Sequence, residues 1–314
     1  GRFKTSHVNQ EIELRVSTVP TAFGEKVVVR VFDPDVLLQD LSKLGFFRRE
    51  QLIFERLISN TTGLILVTGP TGSGKTTTLY STLHHISNPR LNITTLEDPI
   101  EMVHEQFNQM AINRNIGFDY GAGIRHVLRQ DPDVIMIGEI RDPETAQYAV
   151  QAALTGHLVL STLHTNDAAG AIGRLIDLGV KPFLLASVLL GVVAQRLVRR
   201  NCPHCSADDW LSEEQALSLG IVGAEGKKLM IQVGQGCVRC RGTGHSGRSG
   251  LYEVMPITPR IQRLIHDGSA SQEIKKEALN DGMLTLRDYG IKKLGRGETT
   301  FDEVLAATDD SQLF

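Results

Sequence analysis

Residues 11–32, EIELRVSTVPTAFGEKVVVRVF, alternate apolar and polar positions in IELRV and gather β-branched residues in VVVRVF. That pattern predicts two strands joined by a turn around Thr21 to Glu25. Pro34 and Gly45 interrupt it, so residues 34–46 read as a linker, and 47–59 read as a helix. From Gly63 the pattern becomes an alternation of buried strands (64–69, 92–99, 134–140 and 157–165) with intervening helices. Such alternation predicts a mostly parallel sheet with helices on both faces. Two further helices are expected at 168–178 and 182–198. The second contains FLLASVLLGVVA (183–194), too short at about 12 residues to span a membrane and read as a buried helix after Pro182. Residues 201–250 are Gly-rich and irregular, and 257–307 read as helical with stops at Gly268, Gly282 and Gly295–Gly297.

Composition narrows the class only slightly. A chain of 314 residues, 41% hydrophobic and 22% charged, is globular and long enough for more than one unit. A net charge of -3 and 5% aromatic residues argue against nucleic acid as the main partner. RLVRR (196–200) is the one feature pointing the other way, toward a DNA-transfer motor. The first residue is Gly and strand-like alternation begins almost at once, so the sequence reads as a piece of a longer protein.

The chemistry is concentrated at the predicted strand ends, where open α/β sheets bind their ligands. GPTGSGKTT supplies Gly69, Pro70, Thr71, Gly72, Ser73, Gly74, Lys75, Thr76 and Thr77, the GxxxxGK[ST] pattern after a buried strand and before a helix. Its backbone N–H groups cradle phosphate, Lys75 reaches the β- and γ-phosphates, and the Thr76 hydroxyl ligates Mg²⁺. VIMIGEIRD ends its strand in Gly138 and Glu139, where an Asp ordinarily helps hold Mg²⁺, so Glu139 is expected to act through a water or to pair with an arginine. LEDPIE offers Glu97, Asp98 and Glu101 as candidates to orient the attacking water, with Glu101 preferred. His157 and His164 lie at an odd spacing on one strand and face opposite ways; His164, at the carboxyl end, is the candidate γ-phosphate sensor. Arg15, Arg30 and Arg125 are arginines able to neutralise transition-state charge across a domain or subunit boundary, or simply surface residues.

All four cysteines fall in two pairs, Cys202/Cys205 and Cys237/Cys240, in a C-x₂-C-x₃₁-C-x₂-C spacing. Two such knuckles supply four thiolates for a structural Zn²⁺, with disulfide pairing as the alternative and His204 as a weak further ligand candidate. Paired cysteines without a secretory context point to a reducing compartment.

GPTGSGKTTTLY, LEDPIE, LRQDPDVIMIGEIRD and TGHLVLSTLHTN together resemble, in order and spacing, the Walker A, Asp box, Walker B and His box of the secretion ATPase superfamily. These are the hexameric motors of type II secretion and type IV pilus assembly. The resemblance runs on through AQRLVRRNCPHC to GMLTLRDYGIKKLGRGETTFDEVL. It implies an α/β chain with a RecA-like P-loop NTPase core at 47–200, a zinc-binding insertion at 201–250 and a helical C-terminal region at 251–314. The end of a PAS-like N-terminal domain (1–33) and a linker (34–46) come before. It also implies ATP, Mg²⁺ and Zn²⁺ as cofactors, a homo-hexamer, and a cytoplasmic protein held at the inner membrane by platform and recruiting proteins. The family's docking segments lie outside this sequence. Glu101 and Glu139 match the family's catalytic glutamates, the Gly138 variant matches its Walker B, and Arg15, Arg30 and Arg125 match its arginine positions. A tetracysteine insertion marks assembly motors rather than retraction motors. GVKPFLLASVLLGVVAQRLVR is closer to secretion and GLYEVMPIT to pilus extension, with secretion slightly favoured. A non-catalytic ring scaffold is disfavoured by the intact Lys75, Glu101 and Glu139.

Overall fold

The structure, a computed structural model, describes residues 1–7, 10–32, 37–221 and 229–309. Strands β1 (Arg2–His7), β2 (Gln10–Thr21) and β3 (Gly24–Phe32) form an antiparallel three-stranded sheet, with the expected turn between β2 and β3. After α1 (Arg48–Ile58) the chain enters the core through β4 (Gly63–Thr68), α2 (Lys75–Ile86), β5 (Ile93–Glu97), β6 (Asn108–Ala111), α3 (Tyr120–Val127), β7 (Val134–Ile137), α4 (Pro143–Leu154) and β8 (Leu158–Leu163). Helices α5 (Ala168–Asp177) and α6 (Pro182–Val188) and strand β9 (Leu189–Asn201) complete it. The cysteine region contains β10 (Ser206–Leu211), α7 (Glu213–Ser218) and β11 (Leu229–Gly234), more regular structure than its glycines suggest. Strand β12 (His245–Pro256) then leads to α8 (Pro259–His266), α9 (Ser271–Asn280), α10 (Leu286–Gly295) and α11 (Phe301–Thr308), the expected helical tail.

The core sheet has seven strands in the order β12-β9-β4-β8-β7-β5-β6. All neighbours are parallel except β12 and β9. Every residue of β4, β5, β7 and β8 is buried, as parallel strands covered on both faces require. One apolar cluster joins α3, α4 and α5 to one face, and a second joins α1 and α2 to the other. A small third cluster, including Leu211, Leu219, Ile231, Leu294 and Val304, ties the cysteine region to α10 and α11.

The expected helix over 182–198 is corrected. Helix ends at Val188, and Leu189 begins a 13-residue strand beside β4. Val192, Val193 and Ala194 are wholly buried, so the apolar run fills a two-sided strand, which shows no helical stripe and no alternation. RLVRR is accordingly the end of β9, where Arg199 pairs with Glu303 at 2.7 Å. Among the described residues no helix is long and apolar enough to cross a membrane.

Candidate active site

The parallel strands all present their carboxyl ends at one edge of the sheet, and that edge holds a cavity of about 580 Å³. Its wall includes Thr71 to Thr77, Glu97, Asp98, Glu101, Glu139, His164 and Arg30. Residues from five separate stretches of chain therefore meet around one space, the position the topology predicts for a ligand.

β4 delivers the phosphate loop, and α2 starts at Lys75 directly after it. Gly69 has a φ of 149°, and a Cβ there would run into the Gln195 carbonyl. The loop can thus lie against β9 only with glycine at that position. Gly69 and Pro70 lie behind the cavity wall, where their carbonyls accept from Lys75 Nζ at 2.7 and 3.0 Å. Burial pushes the Lys75 ammonium down to about 8, against the opposing pull of Glu139 and with help from Arg196. Ser73 Oγ is buried in the same loop and has no hydrogen-bond partner among the described residues. A buried cation held by two loop carbonyls, the Ser73 hydroxyl and the start of α2 make a donor set suited to a polyphosphate. Thr76, exposed at the cavity wall, is the residue that would hold Mg²⁺ beside it.

The acidic residues separate into distinct environments. Glu97 is buried and held by the Tyr80 hydroxyl at 2.5 Å, the Thr95 hydroxyl at 2.7 Å and the Gln109 amide at 3.1 Å. Burial and the Glu97 charge raise the Tyr80 phenol, keeping it a donor. Glu97 is thus an anchored carboxylate with its acceptor sites engaged. Glu101 sits at the mouth of the same turn and accepts from Arg15 Nη1 at 2.6 Å. Asp98 lies 3.9 Å from Arg114. Glu139 faces both Arg141, at 2.6 Å, and His164 Nε2, at 3.4 Å. Burial, then the Lys75 charge, lowers the His164 imidazole below its ordinary value, against the pull of Glu139. His157 lies at the other end of β8, bonded through Nδ1 to the Ala152 carbonyl at 2.8 Å.

The three arginines are not equivalent. Arg15 and Arg30 are cross-strand partners on β2 and β3, and both reach this edge: Arg15 pairs with Glu101 and Arg30 lines the cavity. Arg125 lies off the cavity wall and binds Glu144 at 2.6 Å and the Tyr148 hydroxyl at 2.9 Å. Sequence reasoning missed Tyr80, Gln109, Arg141, Tyr120, Gln195 and Arg248. Only Arg141, two residues beyond Glu139, carried a local signal. A second cavity of about 1120 Å³ shares Gly74, Thr77, Leu197 and Arg248 with the first and extends past Leu38 and Phe47 toward Lys293 and Arg296.

The four cysteines form one cluster. All four Sγ atoms lie within 4.8 Å of one another, with Cys202–Cys237 at 4.0 Å and Cys205–Cys240 at 3.8 Å. A tetrahedral Zn²⁺ with Zn–S of about 2.3 Å sets sulfur–sulfur edges of roughly 3.8 Å. The cysteines are free, and these separations are far beyond a disulfide bond. The Cys237 N–H donates to Cys240 Sγ at 3.1 Å and, first among several contacts, pulls that thiol below its ordinary value, while burial pushes the neighbouring Cys205 thiol up. His204 contacts Arg239 and is not part of the cluster.

Residues 1–306 match the family model described as Type II/IV secretion system protein. The chain belongs to this family. It is 50% identical over 306 residues to the type IV pilus assembly ATPase TfpB of Acinetobacter baylyi, covering 97% of this chain and 52% of the relative. It is 46% identical to type II secretion system protein E of Pseudomonas aeruginosa, covering 98% of this chain and 61% of the relative. The chain therefore spans only part of the length of these family members. Among solved structures, the pilus retraction motor PilT with bound ADP aligns with a TM-score of 0.68 at 26% identity, over all of this chain and 79% of PilT. The Legionella pneumophila ATPase DotB aligns at 0.70 and 20% identity, over 98% of this chain and 76% of DotB, a likeness of fold.

Proposed function

We propose that this chain is the motor part of an ATPase that powers the assembly of pilin-like subunits, as in type II secretion or type IV pilus extension. The observation that carries the reading is the convergence of Lys75, Glu101, Glu139 and His164 on one cavity beside the phosphate loop. The triphosphate occupies that cavity, and its nucleoside end extends into the larger one that shares Thr77 and Leu197. Thr76 and the phosphates would hold magnesium, which would supply charge neutralisation at the γ-phosphate. Glu101 orients and deprotonates the attacking water once Arg15 releases it, while Glu139 positions His164 toward the γ-phosphate. Arg15 and Arg30 supply positive charge in the transition state, and Arg125 does so from a neighbouring subunit of a homo-hexamer.

In this reading residues 1–33 end a PAS-like domain, 34–46 link it to a RecA-like core (47–200), and a zinc-stapled unit (201–250) precedes the C-terminal helices (251–314). Relatives of both machine types occur at similar identity, so the assignment is made at the step they share, subunit assembly. The four-cysteine cluster supports assembly over retraction. Platform and recruiting proteins hold the motor at the cytoplasmic face of the inner membrane. The deciding experiment is Mg²⁺-dependent ATP hydrolysis by the chain and by its Lys75→Ala and Glu139→Ala variants. Each substitution should lower turnover at least about 100-fold; rates near wild type in both variants would reject the reading, and stimulation by DNA would favour a DNA-transfer motor instead.

A further inference from the structure

Glu253 lies on β12, only 2% exposed and outside the wall of the phosphate cavity. Its two carboxylate oxygens accept from two different helices. Oε2 takes the Ala168 N–H at 3.0 Å and Oε1 the Leu286 N–H at 3.2 Å. Ala168 is the first residue of α5 and Leu286 the first of α10. First-turn amides have no partner within their own helix and carry the positive end of its dipole. One buried carboxylate therefore satisfies two helix starts and fastens them to each other.

The path from this bridge to the catalytic edge is short. Three residues separate His164 from Ala168. Between them, the Thr165 N–H donates to Thr68 Oγ1 at 2.8 Å, at the end of β4. Asp167 caps α5 through the Gly170 N–H at 2.8 Å and accepts from Lys275 of α9 at 2.8 Å. The turn that carries His164 is thus pinned on one side to the strand leading into the phosphate loop. On the other side it is pinned to the C-terminal helices.

We propose that Glu253 is a positioning residue: by tying the first turn of α5 to the first turn of α10, it sets His164 against Glu139 and relays movement of the C-terminal helices to that pair. The proposal rests on the nucleotide reading of the site. Two variants break the tie differently. Glu253→Gln keeps the shape but turns one acceptor into an NH₂ group facing a backbone N–H. Ala168→Pro removes the N–H itself at the first helical position, where proline is tolerated. Asp167 already has the extended backbone that a following proline requires, with φ -139° and ψ 173°.

The His164 imidazole resonance is followed by NMR in the nucleotide-free chain, and kcat and KM are measured for Mg·ATP. Circular dichroism and the affinity for mant-ADP verify the fold, and either folded variant suffices. The resonance should shift in both variants, with kcat lowered about 10- to 100-fold and KM changed less than about threefold. An unmoved His164 resonance, or an unchanged kcat, would overturn the proposal. If the wild-type chain hydrolyses no ATP, the nucleotide reading fails, and the His164 resonance by itself still decides whether Glu253 positions that ring.

Discussion

The Arg15 guanidinium lies 2.6 Å from the Glu101 carboxylate and also donates to the Ile100 and Glu101 carbonyls at 2.9 and 3.1 Å. One side chain of the N-terminal sheet thereby holds the turn after β5 and occupies the carboxylate assigned to the water. If the two act as a unit, their losses overlap. Glu101→Ala should lower kcat about 10²- to 10⁴-fold with mant-ADP affinity retained. Arg15→Ala should cost less, and the double variant should be no slower than Glu101→Ala. Strictly multiplicative losses in steady-state assays would show that the two residues work separately.

Lys75 is held at about 8 by burial, well below the ordinary lysine value. Between that point and about 10.4 the unfolded chain binds more protons than the folded one, so this group makes stability rise with pH across that window. Polyphosphate beside Nζ favours the charged form and raises the folded value. Nucleotide binding at pH 8 to 9 should therefore take up a fraction of a proton per chain. Calorimetry in two buffers of different ionisation enthalpy reads this directly. Equal heats in both buffers, or proton release, would contradict it.

Much of this edge was legible in the sequence because it is local. The phosphate loop, Glu139 and His164 each close a strand whose apolar run announces it, and parallel pairing brings those ends together. What escaped notice depends on tertiary neighbours. Gln195 is set behind the loop by the pairing of β9 with β4, and Tyr80 and Gln109 meet Glu97 from elements 12 or more residues away. The misreading of 189–198 has the same origin. A strand buried on both faces loses the alternation that would distinguish it from a helix. The family resemblance raised Arg15 and Arg30 above ordinary surface arginines, and their cross-strand pairing supplies the physical reason they lie at one place.

Gly138 occupies the position where a Mg²⁺-binding aspartate is expected, and the packing explains why no side chain is there. A Cβ on it would come within 2.9 Å of the Tyr120 hydroxyl and 3.2 Å of the Leu96 carbonyl. Restoring the usual residue should therefore harm the site. Gly138→Ala and Gly138→Asp are expected to lower stability by about 1 to 3 kcal/mol, with the larger loss for Asp. Neither should raise kcat. Urea unfolding and ATPase assays together check this; a Gly138→Asp chain with full stability and higher turnover would show that the space exists.

The cysteine cluster joins two short strands and one helix whose own apolar cluster is small, and that region leans on α10 and α11 for the rest of its burial. A structural zinc on the four thiolates would supply on the order of 10 kcal/mol of folding free energy to such a unit. The chain should contain one zinc per molecule by atomic absorption. Its removal by a strong chelator, or Cys240→Ser, should expose the amides of β10 and β11 to hydrogen exchange. No cysteine lines the phosphate cavity, so exchange at Gly72–Thr77 and mant-ADP affinity should change little. Zinc loss that leaves 201–250 protected would refute the staple role, and zinc loss that abolishes nucleotide binding would place the metal in the motor's chemistry.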